Sequence, residues 1–180
     1  MIMADLKNRI MRAAKLDVSL YEEVEADKDA LGQAMTVVVL SSLAAGVGAS
    51  QGGLAGIVLG IIAALVGWYA WAYVTYLIGT KLLPEPQTEA DLGQLLRTTG
   101  FSSAPGLIRV LGIIPGPTGV VFLVASIWML VAMVIAVRQA LDYSNTFRAV
   151  GVCLIGWVVQ VFIIVLFFYL LGEPTMGIEA

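Results

Sequence analysis

Apolar residues in this chain fall into long runs separated by short polar breaks. The runs over about 33–50, 54–79, 118–138 and 149–171 each approach the ~20 residues that carry an α-helix across roughly 30 Å of hydrocarbon. The segment 97–114 is different. Thr98 to Pro117 reads TTGFSSAPGLIRVLGIIPGP, is half polar, and carries Arg109. Pro105 removes a helical donor and clashes with the carbonyl four residues back, and Gly106 follows it. The pattern predicts an all-α fold, a polytopic helical membrane bundle of five transmembrane helices with the third broken or kinked near residues 102–106. Gln51-Gly52-Gly53 predicts a tight turn, Pro84 and Pro86 mark a polar loop, and Pro115-Gly116-Pro117 ends the third span.

Ahead of the first span the period is helical but mixed. Met3, Leu6, Ile10, Ala13 and Ala14 share one face, with Arg9, Arg12 and Lys15 off it. This is a short N-terminal amphipathic helix. It either lies in the interface, with Arg9, Arg12 and Lys15 among lipid headgroups, or packs on the bundle. Ser19 with Glu22 forms a capping-box pattern that predicts a helix through the acidic patch Glu22, Glu23, Glu25, Asp27 and Asp29, without a break into the first span. Thr88 with Asp91 forms a second, predicting a helix from about Glu89. In the second span Gly52, Gly56, Gly60 and Ala64 recur every four residues, a spacing that allows close helix packing. They serve packing inside the monomer or a homo-oligomer seam.

Composition agrees with the pattern. The chain is 59% hydrophobic and 13% charged, against about 45–50% and 25% in soluble domains, and its mean hydropathy is +0.92. Its 180 residues suit one membrane domain, 33–172, after a helical segment 1–32 and before a tail 173–180. The first run begins after a long charged stretch, so a retained span is expected rather than a cleaved signal peptide. The net charge of −3 gives no case for nucleic acid. There is no His and a single Cys, Cys153, so neither an intrachain disulfide nor a Cys–His metal site can form. No nucleophile–base pair stands out and no span carries a carboxylate. Catalytic residues, cofactors and metals are not expected.

Charge orients the chain, because Lys and Arg are retained on the cytoplasmic side. If Thr98–Pro117 crosses, Lys7, Arg9, Arg12, Lys15, Lys28, Lys81, Arg97, Arg138 and Arg148 all face inward, nine of the ten basic residues. If it does not cross, Arg138 and Arg148 flank an external turn. The count favours a multi-pass protein of the inner (plasma) membrane, N-terminus cytoplasmic, C-terminus and the 173–180 tail outside.

Few side chains then remain as candidate sites. Arg109 has no acid in any span to pair with, and at the bilayer centre it would cost about 2.5–3.5 kcal/mol. It snorkels outward past Ile114, or it forms an anion or lipid-headgroup contact in the outer leaflet. The break at Pro105 and Gly106 is a packing kink or a binding element of the transporter kind. Ser126 and Gln160 are expected to hydrogen-bond between helices. Arg138 and Asp142 have helical ion-pair spacing. With Tyr143, Asn145 and Arg148 they form a turn that is either a solvated loop or a partner-docking surface.

Thr99-Gly100-Phe101 with Ala104-Pro105, then Pro115-Gly116, Trp128, and Arg138-Gln139-Ala140-Leu141-Asp142-Tyr143-Ser144 with Arg148-Ala149 resemble prokaryotic members of the Yip (Ypt-interacting protein) domain family. The resemblance covers most of the chain from about residue 20. It implies a five-span domain with a cytoplasmic N-terminus. Eukaryotic members engage Rab-type GTPases in endoplasmic reticulum–Golgi traffic and carry an Asp-Leu-x-Gly-Pro motif. That motif is absent here, so GTPase binding is not expected. Two functions stay open: a non-enzymatic scaffold or accessory subunit that binds membrane lipids, other membrane proteins or its own copies, and a small-solute or lipid transport element built around the broken third helix.

Overall fold

The computed structural model describes residues 2–49 and 53–171. Gly52 and the tail 173–180 lie outside them. All the regular structure in the described residues is helical. α1 spans Ile2–Ala14, α2 Val18–Ala26, α3 Leu31–Ala49, α4 Gly53–Leu77, α5 Leu92–Phe101, α6 Thr118–Ala140 and α7 Thr146–Leu171. A 3-10 helix, Ala104–Ile113, follows α5, and a π-helical turn, Ile78–Leu82, closes α4. Four helices are long and apolar enough to cross a membrane, over Lys28–Ala49, Gly53–Leu82, Thr118–Ala140 and Thr146–Ile163.

The helix starts differ from the capping patterns in the sequence. α2 is capped by Asp17, whose carboxylate accepts from the Ser19 N–H at 3.0 Å and the Ser19 hydroxyl at 2.7 Å. Ser19 is thus inside the helix and donates to the cap. Nor does α2 run on into α3. Asp27 is extended (φ −82°, ψ 97°) and caps a single 3-10 turn, Lys28–Ala30, by accepting from the Asp29 N–H at 3.0 Å. Its side chain offers the backbone an alternative to helical continuity. α5 begins at Leu92, later than Glu89. Its cap is Asp91, in a reciprocal box with Gln94 (2.8 and 2.6 Å). Thr88 instead accepts from the Glu85 N–H at 3.0 Å.

The Thr98–Pro117 stretch does not form one bent α-helix. α5 stops at Phe101, Ser102 and Ser103 form a turn, and the chain resumes as the 3-10 helix. Pro105 sits in the first turn of that helix, where a missing N–H has no helical partner to lose. This two-part segment lies against α3 along that helix's length. A Cβ on Gly100 would stand 2.7 Å from the Ala34 Cβ, one on Gly106 2.1 Å from the Ser41 Oγ, and one on Gly112 2.9 Å from the Gly48 carbonyl. A Cβ on Gly48 would meet the Arg109 carbonyl oxygen at 1.8 Å. Bare glycine backbone is what lets the two elements touch.

The regular small-residue stripe of α4 has no such role. Gly56 and Gly60 are exposed, and a Cβ on Gly60 would meet nothing within 4 Å. Only Ala64 is half-buried. Packing inside the monomer falls instead to Gly48, Gly100, Gly106 and Gly112.

At one end of the bundle α1, α2, the 83–91 loop and the 141–145 turn close over the helices. Leu20, Tyr21, Val24, Ala34, Val37, Phe101, Ala104 and Ala136 form a core beneath α2, with Leu6 and Ile10 of α1 packed on its side. Leu95, Val137, Leu141, Ala149 and Val152 form a second core under the 83–91 loop.

Candidate functional site

Two places gather polar side chains. The first is a cavity of about 370 Å³ among α3, α4, the 3-10 helix, α6 and α7. Ser41 and Ser42 face it from α3, Thr99 and Ser103 from the broken segment, and Gln160 from α7. Arg109 enters it from the 3-10 helix. The Trp68 indole lines its wall and donates to the Leu96 carbonyl and the Thr99 hydroxyl, both at 3.2 Å. The Trp71 indole lies 3.2 Å from the Met133 sulfur.

Arg109 makes its side-chain contacts with α6. Its backbone lies against Gly48 in the last turn of α3, and its side chain turns back toward α6. There it donates to the Ser126 hydroxyl at 3.2 Å and lies over the Phe122 ring at 5.6 Å. Its Nε is buried without an acceptor, and no described carboxylate is within ion-pair distance. Ser126 thus makes the interhelical bond expected of it, while its own hydroxyl donates to the Phe122 carbonyl at 2.8 Å. The Gln160 side-chain oxygen is buried and accepts nothing.

The second place is the polar end. Arg9 is 7% exposed. It donates to Glu23 and Asp27, each at 2.9 Å, and to the Gln33 side-chain oxygen at 2.9 Å. Arg12 binds Asp17 at 2.8 Å and Glu23, and this, with Ser19, holds the Asp17 carboxyl down to about 2. Arg9 and Arg12 therefore belong to a network tying α1 to the acidic patch, not to a free basic face. Lys15 remains exposed. Arg97, which the sequence did not single out, is 6% exposed and donates to the Val24 carbonyl at 2.9 Å and to the Glu25 carbonyl, joining α5 to α2.

The 138–148 turn is also internally committed. α6 ends at Ala140 and Asp142 is left-handed (φ 52°), so Arg138 and Asp142 do not form a helical pair. Arg138 donates instead to the Tyr143 and Ser144 carbonyls at 3.1 and 3.3 Å. Tyr143 is 3% exposed and its hydroxyl reaches the Leu83 carbonyl at 2.6 Å and the Gly79 carbonyl at 3.1 Å. The π-helical turn ends beside these two acceptors. Asn145 accepts from the Phe147 N–H at 2.8 Å. Arg148 donates to the Pro84 carbonyl at 2.7 Å and pairs with Glu85 at 3.4 Å. The N–H and hydroxyl of Ser144 hold the Glu85 carboxyl below the usual carboxylate range. The turn is a clasp on the 83–91 loop, and its outer side is exposed at Asp142, Ser144, Asn145, Phe147 and Arg148.

Glu25 sits where α2, α5 and this turn meet. Burial, with Asp142, Glu22 and Asp91 nearby and Arg97 opposing them, pushes its carboxyl from 4.5 up to about 7. The folded state therefore binds the proton more tightly. Stability from this group is complete below pH 4.5 and is lost as pH rises through 7. Glu25→Gln is expected to flatten the dependence of the unfolding midpoint on pH between 5 and 8. At pH 8 it should be more stable than wild type by ~1 kcal/mol, a figure discounted for partial solvent screening. Parallel pH curves for the two proteins would remove Glu25 as the source.

Long apolar helices under a bonded polar end, with a polar cavity between them, define a helical membrane protein. The family model for the Yip1 domain matches residues 19–168, and the chain belongs to that family. No curated protein and no solved structure matches it.

Proposed function

We propose that the protein is a non-enzymatic scaffold or accessory subunit of the membrane, binding lipids and other membrane proteins. The broken segment counts as a fifth span in this reading, because its two halves pair with α3 from Ala34 to Gly48. The polar end then faces the cytoplasm of the inner (plasma) membrane, and the chain leaves α7 on the outer side.

One observation carries the choice of binding over passage. On the polar-end side of the cavity the buried apolar side chains Leu95, Val37 and Ala136, each 0% exposed, pack α5, α3 and α6 together, and the buried hydroxyls of Thr98, Thr99 and Ser102 donate to carbonyls of their own segment. A transported solute needs unengaged polar groups along its whole path, and these side chains offer none. The transport alternative draws on the polar cavity beside the broken segment.

The test is capture of neighbours followed by a flux assay. Purification in mild detergent after cross-linking in the native membrane is expected to return a reproducible protein or lipid complex. Proteoliposomes loaded with chloride, phosphate and small organic anions are expected to stay tight. Specific flux of any of these with no reproducible complex would replace the scaffold by the transporter. A reporter joined after Ala180 that reads cytoplasmic would remove the fifth span.

A further inference from the structure

The cavity has the wrong charge balance to be filled by protein alone. Arg109 brings a guanidinium in among the helices, where a buried charge needs a partner. It meets one neutral hydroxyl and one aromatic face there. Its Nε lacks an acceptor, and no carboxylate lines the space. The remaining polar lining is hydroxyl and amide: Ser41, Ser42, Thr99, Ser103 and Gln160. Thr99 already donates to the Leu95 carbonyl; the Ser41, Ser42 and Ser103 hydroxyls and the Gln160 amide can donate to an oxyanion, and a guanidinium fork matches the oxygens of a phosphate. At about 370 Å³ the cavity lies within the ~300–1,000 Å³ typical of small-molecule sites.

The surroundings indicate how an anion would arrive. Leu95 and Val37, both buried, pack on the side toward the polar end. α4 meets α7 through Trp71 and Ile78 against Gly156. In its other half, from Leu54 to Val66, exposed apolar residues face outward. An apolar groove of about 550 Å³, walled by Leu130, Val134, Cys153 and Trp157, shares Trp71 with the cavity. Arg109 leaves the backbone at the last turn of α3, the level at which a span meets headgroups. A polar pocket with Arg109 at one end and an apolar groove that shares Trp71 with it fits an amphipathic anion.

We propose that the Arg109 cavity binds a phosphate-class anion, presented as the headgroup of an anionic phospholipid whose acyl chain lies in the Trp71–Trp157 groove. The proposal names the ligand for the lipid-binding half of the function above and rests on that reading for the spanning arrangement.

The test uses the full chain in dodecyl maltoside, with fluorescence of Trp68 and Trp71 as the built-in reporter. Dioleoyl phosphatidylglycerol is expected to give a saturable change at least tenfold tighter than dioleoyl phosphatidylcholine. In Arg109→Gln the difference should shrink to threefold or less, while Arg109→Lys keeps most of it. Gln160→Leu, an apolar change in an apolar helix, should weaken phosphatidylglycerol three- to tenfold, and it serves if Arg109→Gln does not fold. Inorganic phosphate that itself saturates the signal and displaces phosphatidylglycerol would identify the free anion as the source. Equal response to the two lipids with no response to phosphate would overturn the proposal, as would an Arg109→Gln or Gln160→Leu protein that titrates like wild type. Either result leaves protein capture by the scaffold untouched.

Discussion

Gly48→Val is expected to destroy the folded bundle, whereas Gly60→Ala leaves it intact. The Cβ introduced at Gly48 would stand 1.8 Å from the carbonyl oxygen of Arg109 and 2.9 Å from its carbon. The obstacle is backbone, so no rotamer change relieves it. The 3-10 helix must move off α3, and Gly112, whose own Cβ would meet the Gly48 carbonyl at 2.9 Å, moves with it. Overpacking usually costs about 1–3 kcal/mol where side chains can yield. Here the loss should exceed ~3 kcal/mol, a large share of the ~5–15 kcal/mol that holds a domain folded. The measurement is the thermal unfolding midpoint in dodecyl maltoside together with elution as a single sharp peak. Gly60→Ala, with nothing within 4 Å, should stay within ~0.5 kcal/mol of wild type, as unconstrained surface changes do. A Gly48→Val protein as stable as wild type would mean that α3 and the 3-10 helix are not in contact.

These two glycines also mark where sequence reading stops. Gly52, Gly56, Gly60 and Ala64 have the regular spacing of a packing seam, and Gly48, Gly100, Gly106 and Gly112 do not. Spacing reports which residues share a face, but not what lies opposite that face. The seam here is made between elements far apart in the chain, one of them a 3-10 helix whose period differs from that of its partner. The long apolar helices were legible because length and composition alone define them. α5 stops at Phe101, four residues before Pro105, at the carbonyl with which a proline in a continuing α-helix would clash. That the chain resumes as a 3-10 helix was not legible, because it depends on Gly106 seating against Ser41 and Met129.

The candidate sites divide in the same way. Arg109 was recognisable as a cation without an acid. Its direction toward α6 depends on Ser126, Phe122 and the cavity, which come from other helices. For the 138–148 turn, the four-residue spacing of Arg138 and Asp142 holds only if the helix continues. Tyr143 reaches across to the Gly79 and Leu83 carbonyls, and the chain leaves the helix at Ala140 to let it do so. At the start of α2, Asp17 and Ser19 were both competent caps. Arg12, reaching back to Asp17, accompanies the choice of the aspartate, and that pairing is tertiary.

Arg9→Met should separate the two readings of the N-terminal helix. If Arg9 serves lipid headgroups, its loss matters only on an anionic surface. The structure places it at 7% exposure between Glu23, Asp27 and Gln33, with Asp5 at 3.6 Å. Methionine keeps the length of the side chain but strands Asp5 and Asp27 beside Glu23, which retains only Arg12. Breaking a buried pair by removing one partner costs about 3–5 kcal/mol. The partners here are one-third to one-half exposed, so ~2–3 kcal/mol is expected after solvent screening. The loss should appear equally in neutral detergent and in phosphatidylglycerol vesicles. It should be local, seen as faster proteolysis and amide exchange in α1 and α2 with little change in the spans. Adding Glu23→Gln and Asp27→Asn should recover much of it, because the penalty lies in the stranded charges and is coupled to them. A defect confined to anionic vesicles, or one that the two neutralising changes do not relieve, would return Arg9 to the membrane surface.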